Sequence, residues 1–297
     1  MSELTMSSRP ALHRPVLVAA FRGWNDGGQG ASLAGGYLAK QWAAQRFAAI
    51  DAEQFFDFQA ARPHVSLVDG LTRKIEWPDN AFFHAPIPGS DRDVVIMLGI
   101  EPNLRWRTFG NLIVGLAQDL GIEMVVTLGS LLADVPHTRP APVTAAGSDP
   151  KLVAELGLEP SRYEGPTGIV GIVLDACREA GIPSVSLWAA VPHYVSLAPS
   201  PRAALALCTR FGELLGVDVD VAELEQAATE YSEQVSEAVS ADAETAAYVE
   251  ELERRVDLIE EADELPSGES LAAELTRFLR ERDEENGEPD GPTGPAG

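Results

Sequence analysis

Cysteine is nearly absent from this 297-residue sequence, which contains only Cys177 and Cys208, both within apolar segments of helical periodicity. So few cysteines exclude a disulfide framework, and the scattered histidines add no paired-ligand spacing of the kind found in zinc sites. A fold without disulfides is typical of a reducing compartment. We therefore expect a cytoplasmic protein that holds neither a metal nor another cofactor.

Long apolar runs are missing as well. The longest, Val16–Phe21 and Val94–Leu98, are much shorter than the roughly 20 residues that a helix needs to cross a bilayer. The opening MSELTMSSRP contains no apolar core of the kind found in secretory signals. We expect no secretion signal and no membrane association.

The sequence also lacks the motifs that hold phosphates or expose a catalytic serine. Gly28 and Gly30 begin a dinucleotide-like pattern, but Leu33 stands where its third glycine would be. Neither a G-x-x-x-x-G-K-S/T loop nor a G-x-S-x-G elbow occurs. An enzyme built on this chain would need a different set of residues.

Positive charge is scarce, since 22 Lys and Arg stand against 46 Asp and Glu and give a net charge of −24. Residues 218–290 alone carry 25 acidic and 5 basic side chains. Such a chain repels phosphate backbones and anionic membranes, so we expect no nucleic acid and no membrane among its partners. Two interpretations of the acidic segment stay open: solvated helix faces that favour solubility, or a docking surface for a basic protein.

What the sequence does contain, between residues 15 and 216, is an alternation of short apolar runs with helix-length amphipathic segments. The segments between the runs repeat apolar residues every three or four positions. This pattern predicts an α/β core domain over 15–216, a three-layer αβα fold with a mixed, mainly parallel sheet. Strands buried on both faces are predicted for four nearly continuous apolar runs: Val16–Phe21, Val94–Gly99, Met124–Leu128 and Val185–Ala190.

One segment departs from this alternation. Leu71–Trp77 and Ala81–Ala85 flank the turn-forming residues Pro78, Asp79 and Asn80, which predicts a β-hairpin and hence a mixed sheet.

The two ends of the chain differ from the core. We expect residues 1–14 to be flexible. Residues 217–284 are predicted to form an acidic helical region, with two helices broken near Ser240 and a third at about 269–284. The Glu-, Gly- and Pro-rich residues 285–297 are expected to be disordered.

Polar side chains follow each of the four predicted strands, at the edge where ligands bind in open parallel sheets. In one interpretation Glu101 or Asp26 acts as a base or ribose acceptor, Arg105 and Arg139 hold an anion, and His137 or His193 is the acid. In the other, the loops contain only tight turns and structural ion pairs, Glu101–Arg105 and Asp134–Arg139. The candidate pocket consists of Trp24, Asn25, Asp26, Glu101, Arg105, Asp134, His137, Arg139, His193 and Tyr194.

These loops resemble the signature blocks of the proteasome-assembly-chaperone-like family, in its long actinobacterial-type branch. The resemblance implies a phosphorylase/hydrolase-like αβα core, a helical C-terminal region and a homo-oligomer, for which a trimer is preferred. Five blocks carry it, in order: Phe21-Arg22-Gly23-Trp24-Asn25-Asp26, Glu101-Pro102-x-x-x-Trp106, Pro136-His137-Thr138-Arg139-Pro140, Glu164-Gly165-Pro166-Thr167-Gly168 and Val191-Pro192-His193-Tyr194.

Two functions follow as hypotheses. The first is an oligomeric protein-interaction or assembly-chaperone-like protein linked to proteasome biogenesis, as the resemblance implies. The second is a small-molecule enzyme or sensor with a pocket at the carboxyl ends of the parallel strands. The sequence alone leaves open whether the chain is an enzyme.

Overall fold

The computed structural model describes residues 3–147, 153–154 and 163–264. The helix predicted at 269–284 and the tail 285–297 lie outside the described residues. The strands are β1 Leu4–Met6, β2 Val16–Arg22, β3 Gln45–Ile50, β4 His64–Val68, β5 Thr72–Glu76, β6 Asn80–Pro86, β7 Asp93–Ile100, β8 Met124–Ala133, β9 Val143–Gly147 and β10 Ser184–Pro192. The helices are α1 Gly30–Gln41, α2 Trp106–Leu120, α3 Ile169–Glu179, α4 Pro201–Leu215, α5 Ala222–Ser240 and α6 Ala243–Glu264.

The main sheet is mixed. Its strand order is β1-β3-β6-β7-β2-β8-β10-β9. The central strands β7, β2, β8 and β10 run parallel, while β9 on one side and β6, β3 and β1 on the other add antiparallel strands. The four strands predicted from continuous apolar runs are these central parallel strands. A strand covered on both faces buries every side chain, which explains why each run is apolar throughout.

Two hydrophobic cores lie on opposite faces of the sheet. One is formed with α1 and α4, which pack against each other, and the other with α2 and α3. In β2, successive residues alternate between these cores, so that Val16 and Val18 face one and Leu17 and Ala19 face the other. The predicted three-layer αβα architecture is confirmed.

Local signals set the helix ends. Gly121 follows α2 with φ 68°, a left-handed conformation that glycine adopts at low cost, and its N–H closes the last turn. At α4, the Ser200 side chain accepts a hydrogen bond from the Ala203 N–H, and Pro201 occupies the first helical position.

The predicted hairpin between Leu71–Trp77 and Ala81–Ala85 is wrong. β5 pairs instead with β4, forming a separate two-stranded ribbon around Asp69 and Gly70, and β6 joins the main sheet between β3 and β7. Both Asp69 and Gly70 have positive φ, so they provide a tighter turn than the Pro78 segment. The non-local pairing of β6 with the buried strand β7 decides its position.

The segments at the chain ends have defined structure where they are described. Leu4–Met6, within the segment expected to be flexible, pairs with β3. The predicted break near Ser240 is confirmed, since α5 ends there and α6 begins at Ala243. The chain divides into a compact unit, Met1–Val249, and a second unit, Glu250–Gly297. α5 packs on α4 within the first unit. None of the helices in the described ranges combines the length and hydropathy needed to cross a membrane.

The two cysteines are unreactive by position. Burial raises the pKa of Cys177 to about 11 and that of Cys208 to about 12, so both stay protonated at neutral pH. We predict that Ellman's reagent labels neither thiol of the native protein within minutes at pH 8, and labels both at once in denaturant. Rapid labelling of the native protein would contradict the buried positions.

Candidate functional site

The four central strands end at one edge of the sheet, called the rim below. β2 and β7 reach the same level, where Arg22 is the partner of Ile100. β8 and β10 continue together as far as the pair Ala133 and Pro192. Asp26, in the loop after β2, forms an isolated β-bridge with Ser130 of β8. Beyond Ser130, β8 continues for three more residues, which is about 10 Å at a rise of ~3.3 Å per residue. The rim is therefore stepped.

On the lower step, the Glu101 carboxylate joins three segments. Its Oε1 accepts hydrogen bonds from Asn25 Nδ2 at 2.9 Å and from the Ile169 N–H at 2.8 Å, and its Oε2 accepts one from the Trp24 N–H at 3.2 Å. Ile169 is the first residue of α3, where free N–H groups and the helix dipole favour a negative charge. Glu101 thus fixes the β2 loop to the start of α3.

The surroundings of Glu101 are closely packed. A Cβ added to Gly168 would overlap the Asn25 amide and the Glu101 carboxylate, so glycine is required there. Asn25 is 1% exposed, and its carbonyl accepts a hydrogen bond from the Ser130 N–H. The Asp26 Oδ1 accepts a hydrogen bond from the Ser32 N–H in the first turn of α1. This corner has the contacts of a structural joint.

Arg105 does not pair with Glu101, and the predicted ion pair is wrong. Its guanidinium lies 2.6 Å from the Glu3 carboxylate, donates to Gln54 Oε1 at 3.1 Å, and sits over the ring of Phe55. Arg105 itself has φ 55°, directly before α2, and both carboxylate oxygens of Glu101 already accept N–H groups. Arg105 therefore anchors the N-terminal strand.

The upper step carries a second cluster, formed by the loops after β8 and β10. His193 Nδ1 lies 3.1 Å from Asp134 Oδ1, and the Tyr248 hydroxyl donates to the same oxygen at 3.1 Å. The rings of His193, Tyr194 and Tyr248 contact one another edge to face. These aromatic contacts fix the rim loops to α6 at Tyr248.

His137 is buried between the same loops and α5. Its Nδ1 lies 2.8 Å from the Tyr194 hydroxyl and its Nε2 lies 3.0 Å from Ser236 Oγ. Beside it, Arg202 donates to the Arg139 carbonyl and to Ser232 Oγ. Burial lowers the pKa of Arg202 below its usual value. The predicted residues His137 and Arg139 thus contact helices α4 and α5.

A cleft of about 700 Å³ opens at the lower step, between the rim and the base of the β4–β5 ribbon. Of the ten candidate pocket residues, Glu101 alone lines it. Other lining side chains include Arg22, Arg62, Trp77 and Trp106. The candidate pocket as predicted stays a prediction, since its residues fall into two clusters with mainly structural contacts.

The described residues offer little for metal chemistry, because no three His, Cys, Asp or Glu side chains among them group closely enough to hold an ion. Sequence reasoning missed Ser130, Arg202, Ser236 and Tyr248, which hold the rim loops in place. No local pattern marks these four residues, since their partners lie far away along the chain.

Comparisons with known proteins agree on one family. The model of the PAC2 family matches residues 20–239. A PAC2 family protein from Streptomyces avermitilis is 49% identical, with a TM-score of 0.75, and the match covers 79% of this chain and 99% of that one. A proteasome-assembly chaperone homologue from Mycobacterium tuberculosis is 47% identical, with a TM-score of 0.73 and the same coverage of 79% and 99%.

The fold also occurs in a distant archaeal protein. A proteasome activator from Pyrococcus furiosus is 19% identical, with a TM-score of 0.65, and the match covers 79% of this chain and 97% of that one. At this identity the likeness shows the shared fold alone. A search of the curated proteins finds no match.

Proposed function

Because the chain belongs to the PAC2 family, we propose that it is an oligomeric protein-interaction protein that assists proteasome assembly. The observation that carries this proposal is the 47% identity to a proteasome-assembly chaperone homologue over 99% of that chain. The contacts of Glu101, His137 and His193 give further support, because they fix the rim loops in place rather than leave them open to a substrate.

The rim has a surface suited to a protein partner. Trp24, Leu131 and Leu132 lie at the ends of adjacent strands and are 62%, 42% and 57% exposed. Exposed apolar side chains at interfaces mark interaction sites, and tryptophan is enriched among the residues that dominate binding. We propose that this apolar rim contacts the partner.

Self-association is part of the proposal, with a trimer as the preferred state. We predict that sedimentation equilibrium of the full chain will give three times the chain mass, unchanged by added DNA or RNA because the acidic chain repels both. A monomeric mass at micromolar concentration would refute the oligomer, and a dimeric mass would refute the trimer.

The assembly role is tested by reconstitution. Proteasome α and β subunits from the same organism are mixed with or without the protein, and native mass spectrometry follows assembly intermediates. We expect the wild-type protein to bind α subunits and speed the appearance of larger complexes. Leu132→Asp should weaken this binding about tenfold, because an apolar anchor residue is replaced by a charge.

The matched control is Met6→Asp, a comparable change at an exposed apolar residue of the edge strand β1, five strands away from β8. It should bind like the wild type. Assembly at equal rates with and without the protein, and no complex with any subunit, would overturn the proposed function.

A further inference from the structure

The cleft between the rim and the ribbon has two aromatic walls. Trp106 begins α2, and Trp77 follows β5 with its ring set edge-on against Phe58, the centroids 4.9 Å apart. The Trp106 indole N–H donates to the Pro102 carbonyl, which fixes the orientation of that ring. The volume of about 700 Å³ lies within the range of ligand-binding clefts. Two aromatic side chains thus line a largely polar cleft, and contacts within the protein fix their positions.

Two arginines and two glutamates line this cleft, and of these four the glutamates are the ones that have partners among the described residues. Arg22 and Arg62 line it, both are exposed, and neither guanidinium has an ion-pair or hydrogen-bond partner in the described part of the chain. Of the two acidic residues that line it, Glu101 already accepts three N–H groups and Glu76 lies 3.5 Å from Lys74. Two uncompensated guanidinium groups favour a carboxylate ligand.

The ribbon adds a second requirement on the face opposite to His64 and Glu76, which line the cleft. On one face of the β4–β5 ribbon, Val65 pairs with Ile75, and Leu67 lies beside Arg73. The side chains of Val65, Ile75 and Leu67 are 61%, 57% and 63% exposed. Two strands alone bury little, and both edges of this ribbon are unpaired within the described residues. An extended peptide can add a third strand to such an edge.

We propose that the cleft and the adjoining ribbon bind an extended acidic peptide that alternates carboxylate and apolar side chains. The carboxylates pair with Arg22 and Arg62, and the apolar side chains cover the ribbon face. A small anion would leave that face bare, and a basic segment would be repelled by both arginines. The inference rests on the proposed function only in taking the peptide from a partner protein.

The test is a titration of the full-length protein against the fluorescein-labelled peptide Glu-Val-Asp-Val-Glu-Leu, followed by fluorescence anisotropy. We expect saturable binding that weakens as sodium chloride is raised, since surface ion pairs are screened by salt. Arg22→Gln and Arg62→Gln should each weaken binding about tenfold, because each removes a charge-assisted hydrogen bond.

Two matched controls accompany the titration. Arg107→Gln changes an exposed arginine of α2 that does not line the cleft, and it should leave binding unchanged. The amide peptide Gln-Val-Asn-Val-Gln-Leu keeps the apolar residues and should bind at least about tenfold more weakly. Circular dichroism and melting confirm that the variants, all at exposed positions, remain folded.

Several results would overturn the proposal. These are the absence of peptide binding, equal binding by both cleft variants and the wild type, or displacement of the peptide by inorganic phosphate or adenosine monophosphate. If the wild-type protein binds no peptide and the Arg22→Gln, Arg62→Gln double variant loses self-association, the cleft binds a second copy of the chain instead. The titration contains no proteasome subunit, so its failure leaves the reconstitution experiment to be judged separately.

Discussion

Replacement of Glu101 by alanine will lower the free energy of unfolding by about 3 kcal/mol, measured by urea denaturation. The carboxylate accepts hydrogen bonds from the Trp24 and Ile169 N–H groups and the Asn25 amide. A hydrogen bond to a charged acceptor contributes about 1.5–3 kcal/mol, and a buried donor left without a partner costs a comparable amount. Water can replace the contact at the exposed Trp24 but not at Ile169, which is fully buried.

The control is Glu53→Ala, at an exposed glutamate outside the joint. It should change stability by less than about 0.5 kcal/mol. Glu101→Gln keeps the acceptor oxygen but loses the charge beside the α3 dipole, so an intermediate loss is expected. Equal stability of Glu101→Ala and the wild type would show that the joint contributes nothing to the fold. Glu101 would then be a cleft residue without a structural role.

The sequence predicted the central sheet because burial on both faces leaves a continuous apolar run. Edge strands carry a weaker signal. β3 begins with two exposed residues, and β9 contains the small residues Thr144, Ala145 and Ala146, so neither run was recognised as a strand. The hairpin error has the opposite cause, since a strong local turn signal at Pro78 was outweighed by the pairing of β6 with β7.

The candidate site was predictable only in part. Parallel strands that end in polar loops place those loops along one edge, and the register confirms this for the four strands. The partners of each side chain were not predictable. Glu101 contacts Ile169 across 68 positions, and His137 contacts Ser236 across 99. Such pairs follow from tertiary packing and leave no mark in local spacing.

The contacts along the rim support the binding role that we propose. Catalysis requires acid and base groups that are free to reach a substrate. Here Glu101 and His137 each bind neighbouring loops or helices, whereas Arg22 and Trp24 remain exposed. Rigid loops that display exposed apolar and cationic side chains reduce the entropic cost of binding a partner.

Val235→Asp will reduce the free energy of unfolding by about 3–4 kcal/mol in thermal and urea denaturation, because it places a charge without a partner in a buried position. Val235 is 4% exposed and shares one face of α5 with Leu224, Ala228 and Tyr231, at spacings of three and four residues. The new charge would also lie near the acidic side chains of the same helix.

Gln234→Asp provides the matched control, since it adds the same charge at the adjacent, exposed position of α5 and should change stability by less than about 0.5 kcal/mol. Equal effects of the two variants would mean that the buried face of α5 does not stabilise the protein.

The position of this face decides which deletion can be used to map partner binding. Leu224 of α5 belongs to the core shared with α1 and α4. Truncation at residue 217 would remove that part of the core and unfold the protein. Removal of residues 250–297, which follow the compact unit ending at Val249, takes away no residue of that core and is therefore the better test of whether the C-terminal acidic residues contribute to binding.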